Sequence, residues 1–314
     1  MSIVVVGSVA FDTVETPSGR VERCVAGAAT YFSLAASYFT QVRVIGVVGE
    51  DFLAEHEAIL TSRGVDTRGI EHVPGKSFFW QGSYMKNLNE AQTVATELNV
   101  FQSFSPKLPA EYKDSEYLFL ANIDPVLQKE VRDMVPGARM VCGDTMNYWI
   151  NGHRENLERV LPGLDALLIN DGEAKLLAKD DNLLRAATKI LAMGPKTLVV
   201  KHGEYGATAF FSERSFAGAG ASGHIQVTPF RAPALPLAEV VDPTGAGDSF
   251  AGGFFGYLAS QKELTPAVFR KAMFYGGVMG SFTVERFGTE RLQHLDRQEI
   301  EARFALFREL SHLD

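Results

Sequence analysis

One segment of the chain combines closely spaced glycines with carboxylates, a combination that suits phosphoryl chemistry. Residues 241–253 read Val-Asp-Pro-Thr-Gly-Ala-Gly-Asp-Ser-Phe-Ala-Gly-Gly. Glycine has no Cβ atom, so its backbone can turn sharply and approach a ligand closely. If Gly245, Ala246 and Gly247 open a helix, their free N–H groups and the helix dipole form a site for an anion.

Asp248 falls in the first turn of that predicted helix, beside the anion site. A carboxylate there would repel a phosphate that was merely bound. Its presence is explained if it takes a proton from a hydroxyl group that attacks phosphorus, while the N–H groups stabilise the transferred charge. The alternative is a glycine-rich helix start that packs closely on a sheet. The full pattern, with Asp242 and Asp248, favours a phosphoryl-transfer site.

Bulk composition limits the class of protein. The chain has 314 residues, 46% of them hydrophobic, and a formal net charge of −8, which predicts one large α/β domain with an appendage, or two domains. Because no basic run stands out, nucleic acid and membranes are excluded as expected partners. Cys24 and Cys142 lie far apart and are expected to be reduced, buried thiols of a cytoplasmic protein.

The hydrophobic pattern predicts two kinds of structure. Residues 3–6 form a buried strand, and hairpins are predicted at residues 13–25 and across residues 77–101, which suggests a small separate sheet. Elsewhere, strands and helices alternate, as in a mostly parallel sheet covered on both faces. The further predicted strands are 42–48, 117–121, 140–143, 166–169, 198–201, 208–211 and 224–228. The predicted helices are 28–39, 52–62, 125–134, 154–160, 172–178, 182–193 and most of the chain from 245.

The segment from Asp242 to Gly253 closely resembles the second signature of the ribokinase-like (PfkB) carbohydrate kinases. Four weaker segments follow in the order typical of that family: 7–12, 26–29, the Asn-x-x-Glu element at 170–173, and 201–207. The resemblance implies a Rossmann-like, mostly parallel sheet flanked by helices, with a small β-sheet lid. The core would comprise residues 1–12, 26–75 and 102–314, and the lid residues 13–25 and 76–101.

Three residues are candidates for the acceptor site. Asp12 follows the first strand and could accept hydrogen bonds from two hydroxyls, or simply belong to a turn; the resemblance favours substrate binding. Gly27 either packs a helix tightly or lets the backbone approach a substrate hydroxyl. Tyr31 stands where the family usually has an asparagine that touches the sugar, and Ala26 replaces the first glycine of a pair.

The candidates on the nucleotide side depend more on the resemblance. Asn170 and Glu173 on their own would cap a helix; the resemblance implies that they order Mg²⁺ and its waters. Lys201 and Gly203 would line the nucleotide, unless they form only a solvated strand end. Gly277 stands where the family often has an asparagine, which implies a backbone or apolar contact with the adenine base.

The leading interpretation is an ATP- and Mg²⁺-dependent kinase that phosphorylates a hydroxyl of a sugar or related polyol. Asp242 and Thr244 match positions that frame a K⁺ site in some family members. The alternatives are a nucleoside kinase, an inositol kinase, suggested by residues 280–288, and a non-catalytic binding protein. The aromatic residues of the lid are expected to pack against the core or against the lid of a second subunit, giving a homodimer. They are Phe78, Phe79, Trp80, Tyr84 and Phe101. The alternative, which motivates the nucleoside kinase, is that one of them stacks on a ring of the acceptor.

Overall fold

Two sheets organise the part of the chain that the computed structural model describes, residues 1–216 and 227–311. The strands are β1 (Ser2–Val6), β2 (Ala10–Thr16), β3 (Gly19–Ala26), β4 (Gln41–Val48), β5 (Asp66–His72), β6 (Phe78–Ser83), β7 (Gln92–Glu97), β8 (Tyr117–Leu120), β9 (Met140–Gly143), β10 (Ala166–Asn170), β11 (Thr197–Lys201), β12 (Ala207–Phe211) and β13 (Thr228–Ala232). The helices are α1 (Ala28–Ala36), α2 (Ala54–Thr61), α3 (Pro125–Met134), α4 (Asn147–Gly152), α5 (Arg154–Val160), α6 (Asp171–Ala178), α7 (Leu183–Ala192), α8 (Ala246–Ala259), α9 (Pro266–Thr283), α10 (Glu290–Gln293) and α11 (Arg297–Ser311).

The large sheet has the strand order β13-β12-β11-β10-β9-β8-β1-β4-β5. Its strands are parallel from β11 to β5, and β12 and β13 add two antiparallel strands at one edge. Successive side chains of β1 enter different cores: Ile3 and Val5 join one hydrophobic cluster, and Val4 and Val6 join the other. The sheet is therefore covered on both faces, which confirms the predicted α/β fold.

The small sheet has the order β3-β2-β6-β7. β2 pairs with β3 in antiparallel fashion and with β6 in parallel, and β6 and β7 form the second hairpin. β2 begins at Ala10, so Asp12 lies within this sheet, whereas the sequence interpretation assigned it to the core.

Most predicted elements agree with the structure to within three residues, and the bounds of β9, α3 and α5 match. Two elements were missed, the edge strand β5 and the short helix α4. The strand predicted at residues 224–228 lies mostly outside the described residues, and β13 begins at Thr228. In the described ranges no helix combines the length and the apolar character that a membrane span requires.

Parallel strands bring their carboxyl ends to one edge of the large sheet. Asn170 and Lys201 end the neighbouring strands β10 and β11 and are register partners. Asp144 directly follows β9, the next strand in the sheet. In open α/β sheets this edge is where ligands bind, and the candidate site is built here.

Candidate active site

The glycine-rich segment forms the start of α8, as predicted. Gly245 is the N-cap residue and adopts a left-handed conformation with φ 74°, which glycine accepts without steric cost. Gly247 and Asp248 occupy the first turn, whose N–H groups have no carbonyl partner four residues earlier within the helix. The N–H of Ala246 donates to the carbonyl oxygen of Pro243 at 3.2 Å. The groups left for an anion are therefore those on either side of Ala246.

Lys201 reaches this helix start from the end of β11. Its Nζ lies 2.9 Å from the position that a Cβ atom would take on Gly247. Within the described ranges the Lys201 ammonium forms no hydrogen bond or ion pair. A positive charge without a partner thus lies beside the predicted anion site, where it would complement a phosphate.

Two opposing influences act on the pKa of the Asp248 carboxyl group. Burial raises the pKa of the Asp248 carboxyl above its usual value, and the charge of Lys201 opposes this shift. A raised pKa makes a carboxylate a stronger proton acceptor, and the nearby cation keeps the charged form accessible. Both features suit a general base.

Asp144 is a carboxylate of this site that the sequence interpretation missed. It is 5% exposed, and its Oδ1 atom has no hydrogen-bond partner in the described structure. Burial, with the charge of Asp248 as the next contribution, raises the pKa of Asp144 well above its ordinary value, against the influence of Lys201. The protonated form of this carboxyl group is therefore favoured more than in an exposed aspartate. Its position directly after a buried strand was the available signal.

Asn170 and Glu173 form the N-terminal cap of α6. The Asn170 side chain accepts from the backbone N–H of Glu173, and the Glu173 carboxylate accepts from that of Asn170, both at 2.8 Å. This reciprocal cap explains the Asn-x-x-Glu spacing locally. The Glu173 carboxylate accepts this hydrogen bond through Oε2. Its Oε1 atom is not used in the cap. The described residues contain no group of three or more His, Cys, Asp or Glu side chains arranged to hold a metal ion.

Asp242 holds together the two loops next to the helix start. Its Oδ1 accepts from the N–H of Thr244 at 2.9 Å and its Oδ2 from that of Gly288 at 3.0 Å. The side chain is 1% exposed, and burial raises its pKa. No lysine or arginine of the described chain pairs with it, so the arrangement is compatible with a bound monovalent cation.

Asp12 lies opposite these groups, on the small sheet. It is 6% exposed. Burial raises the pKa of Asp12 to about 8, and the carboxylates of Asp242 and Asp248 add to the shift. Within the described chain no arginine or lysine forms an ion pair with Asp12. The carboxylates of Asp12, Asp242 and Asp248 are therefore close enough to influence one another, and the Lys201 ammonium acts on Asp248.

Tyr31 lies beneath the helix start. A Cβ atom on Gly245 would collide with the Tyr31 ring, so only glycine fits over it. Tyr31 is 1% exposed, and its hydroxyl is buried without a hydrogen-bond partner among the described residues. The structure gives the ring a role in supporting Gly245; direct contact between its hydroxyl and a substrate stays a prediction.

Two of the lid aromatics lie near candidate site residues. Trp80 is the register partner of Asp12 on the neighbouring strand, so both side chains project from the same face of the small sheet. The indole covers Gly82 and donates to the Thr93 hydroxyl at 3.2 Å. The Tyr84 hydroxyl lies 3.4 Å from Oγ1 of Thr244.

The other lid aromatics pack as expected. Phe78 stacks on Phe101, with ring centroids 5.3 Å apart, and Phe79 lies against the core on the opposite face of the sheet. The expectation of packing thus agrees with the contacts of Phe78, Phe79 and Phe101, and for Trp80, the register partner of Asp12, it stays a prediction.

Three predicted glycines have local structural reasons. Gly27 has φ 103° and is so close to the Ser8 carbonyl that a Cβ would collide with it. Gly203 has φ 56° and touches Asn89 of the small sheet's loop. A Cβ on Gly277 would lie 3.1 Å from the Phe307 ring of α11. A Cβ on Gly280 would lie 3.3 Å from the carbonyl oxygen of Ala246, so Gly280 is the glycine of α9 that lies next to the start of α8. The base contact of Gly277 stays a prediction.

The chain is similar in sequence to known kinases. The pfkB family carbohydrate kinase profile matches residues 1–294. The chain is 29% identical over 276 residues to the cytidine kinase of Thermococcus kodakarensis, an alignment that covers 85% of this chain and 92% of that protein.

Solved structures share the fold. A nucleoside kinase of Burkholderia thailandensis in complex with inosine superposes with a TM-score of 0.76 and 20% identity, over 97% of this chain and 98% of that one. A putative ribokinase II of E. coli in complex with ATP and Mg²⁺ gives the same TM-score and identity, over 97% and 99% of the two chains.

Proposed function

The chain belongs to the pfkB family of carbohydrate kinases, and we propose that it transfers the γ-phosphoryl group of ATP to a hydroxyl of an uncharged sugar or related polyol. One observation carries the proposal: Asp248 and the Lys201 ammonium meet at the first turn of α8. A base and a cation at a helix start are the groups that an in-line phosphoryl transfer needs.

The proposed reaction follows from this arrangement. Asp248 takes the proton of the acceptor hydroxyl as its oxygen attacks the γ-phosphorus. The bond from that phosphorus to the bridging oxygen of ADP breaks, and ADP leaves with the electron pair. Lys201 and the N–H groups of Gly245 and Gly247 stabilise the charge on the transferred group. Asp12 holds the acceptor by its other hydroxyls.

Mg²⁺ fits this site as a companion of the phosphates. Because the described residues hold no cluster of three metal ligands, the protein would contact the ion through few groups, as Mg²⁺ commonly prefers. Glu173, through Oε1 and an intervening water, and Asn170 are the proposed residues. When bound, Mg²⁺ screens the phosphate charges. Asp242 and Thr244 are proposed to hold K⁺, since Asp242 is a buried carboxylate without a cationic partner in the described ranges.

The charges around Asp12 favour an uncharged acceptor. The groups that act on Asp12 are the carboxylates of Asp242 and Asp248. A sugar phosphate or sugar acid would bring a further negative charge to these carboxyl groups, and in the described ranges no lysine or arginine pairs with Asp12 or Asp242. Like charges that close in a buried site cost several kcal/mol.

A nucleoside is the second candidate acceptor. The observation that favours it is the indole of Trp80, which lies on the same face as Asp12. A base could stack there while the ribose hydroxyls contact Asp12. The likeness to the cytidine kinase of Thermococcus kodakarensis supports this candidate.

The test is ADP release from Mg·ATP with a panel of uncharged sugars, cyclitols, nucleosides, sugar phosphates and sugar acids. We expect turnover with a member of the first three groups, and its loss in Asp248→Asn. Turnover with a sugar phosphate alone would contradict the uncharged acceptor. If the protein is folded and none of the acceptors in the panel supports ADP release, the kinase proposal is contradicted.

A further inference from the structure

The loop between β6 and β7 reaches across the crevice to the loop that follows β11. Near its tip, Asn89 touches Gly203, since a Cβ on Gly203 would collide with the Oδ1 of Asn89. The Nδ2 of Asn89 donates to a carboxylate oxygen of Glu204 at 3.5 Å. The turn is shaped by Asn87, whose Oδ1 accepts from the N–H of Asn89 at 2.9 Å. We call β6, β7 and their connecting residues the lid hairpin.

The lid hairpin is also held where its connecting loop begins, directly after β6. The N–H of Tyr84 donates to the carbonyl of Glu15 at 2.8 Å, and the Tyr84 hydroxyl accepts from Thr244. The start of the loop thus contacts the segment that carries Asp248, and the tip of the loop contacts the loop of Gly203.

We propose that Asn89 is a positioning residue that latches the lid hairpin onto the loop of Gly203 and Glu204, and so couples lid closure to the bound nucleotide. The proposal rests on the proposed function and on the expectation from the sequence that Gly203 lines the nucleotide. A nucleotide that orders the loop offers Asn89 a fixed partner, and the closed hairpin excludes water from the transferred phosphoryl group. By thermodynamic linkage, closure then strengthens nucleotide binding as much as nucleotide favours closure.

The chain contains a built-in probe for this closure. Lys86 is the only lysine or arginine between Lys76 and Lys107, and it is exposed in the loop of the lid hairpin. Trypsin cleavage there releases fragments 1–86 and 87–314, which mass spectrometry identifies. Because such cleavage reports the population of the open hairpin, we expect the Mg²⁺ complex of AMP-PNP to slow it about fivefold or more, a typical coupling factor.

Four variants separate the latch from a general effect of nucleotide. Asn89→Ala removes both contacts and should lose the protection. Asn89→Asp should lose it more fully, because its carboxylate faces that of Glu204. The double variant Asn89→Asp/Glu204→Gln exchanges donor and acceptor and should regain protection. Glu90→Ala, at an exposed neighbour, is the matched control and should behave as the wild type.

The trypsin protection of these variants tests the latch. Equal protection by AMP-PNP in the wild type and Asn89→Ala would overturn the latch, and so would a wild type that nucleotide does not protect, whether or not calorimetry detects binding. Failure of the double variant to regain protection would also overturn it, if circular dichroism shows it folded. Failure of the proposed function gives a different result. In that case none of the acceptors supports ADP release, while nucleotide still protects Lys86 from trypsin and this protection still depends on Asn89.

Discussion

The ammonium nitrogen of Lys201 lies 2.9 Å from where a Cβ of Gly247 would be, so the two residues leave space only for the lysine. A side chain at position 247 would push this cation away from the helix start. The pairing explains why glycine is needed at the second helical position, beyond the close approach of a phosphate. It also places the positive charge of Lys201 where it acts on Asp248.

Lys201→Gln should lower kcat by roughly 10²–10³-fold, the usual cost of losing one group that stabilises transferred charge. Steady-state kinetics with varied Mg·ATP measures it. Lys175→Gln is the matched control, because Lys175 forms an exposed pair with Asp171 on α6. Unchanged turnover in Lys201→Gln would remove this lysine from the site.

Asp248→Asn should lower kcat by roughly 10²–10⁴-fold, the worth of a positioned base, and leave nucleotide affinity nearly unchanged. Since burial raises the pKa of Asp248, the wild-type rate should also fall on the acidic side as the carboxylate gains a proton. The pH dependence of kcat in the two forms checks both points. Near-native turnover in the variant would contradict the role of base.

Activity should disappear with a chelator of divalent ions and return with Mg²⁺. K⁺ should stimulate it relative to Na⁺, and Asp242→Asn should lose that stimulation, because asparagine has no charge to hold the ion. The variant also cannot accept both N–H groups of Thr244 and Gly288, so we expect a loss of about 1–3 kcal/mol in stability. Equal rates in both salts would refute the K⁺ site and leave the Mg²⁺ prediction standing.

Asp12 should make the fold less stable as pH rises. Its folded pKa of about 8 exceeds the ordinary value of 3.8, so between these values the folded state binds the proton that the unfolded chain has released. The free energy of unfolding therefore falls with rising pH across this window. Asp12→Asn, which has no proton to lose, should gain in Tm relative to the wild type from pH 5 to pH 9.

Asp66→Asn is the matched control for that pH series. A hydrogen bond from Arg68 lowers the pKa of Asp66 to about 2. The stabilisation that the charged Asp66 gives to the fold is therefore fully present above about pH 4 and is lost as the pH falls toward the folded pKa. Between pH 5 and pH 9 the Tm difference of this variant should stay constant. A constant difference for Asp12→Asn as well would show that Asp12 is charged in the folded protein.

The sequence predicted the elements that carry a strong apolar pattern. β9 and α3 were placed with their bounds, since β9 is a short apolar run and α3 is an amphipathic helix with a clear period. β5 was missed because it reads Asp-Thr-Arg-Gly-Ile-Glu-His, the polar composition of an edge strand. Its pairing with β4 comes from the tertiary structure.

The candidate site was predictable where a motif is local. The helix start at Gly245 and the cap of Asn170 and Glu173 follow from adjacent residues. The approach of Lys201 to Gly247 and that of Asn89 to Gly203 depend on strand order and on the lid, which no spacing reveals. Asp144 was within reach, because it follows a buried strand as Asn170 does.

Trp80 distinguishes the two acceptor classes. If the acceptor is a nucleoside, its base should stack on the indole beside Asp12, and Trp80→Ala should raise the nucleoside KM about tenfold or more, since base–aromatic stacking is worth on the order of 1–3 kcal/mol. If the acceptor is a simple sugar or cyclitol, the same change should leave discrimination among small polyols nearly unchanged. KM values for the two classes in wild type and variant measure this.

Phe79→Ala is the matched control, because Phe79 directly precedes Trp80 in β6 and faces the opposite side of the sheet, toward the core. Its loss should lower Tm without a selective effect on nucleosides, as expected for packing. A nucleoside KM raised equally by both substitutions would mean that Trp80 acts through the stability of the lid. A selective rise for Trp80→Ala alone would assign the indole to recognition of the base, because the two residues differ mainly in the face that they occupy.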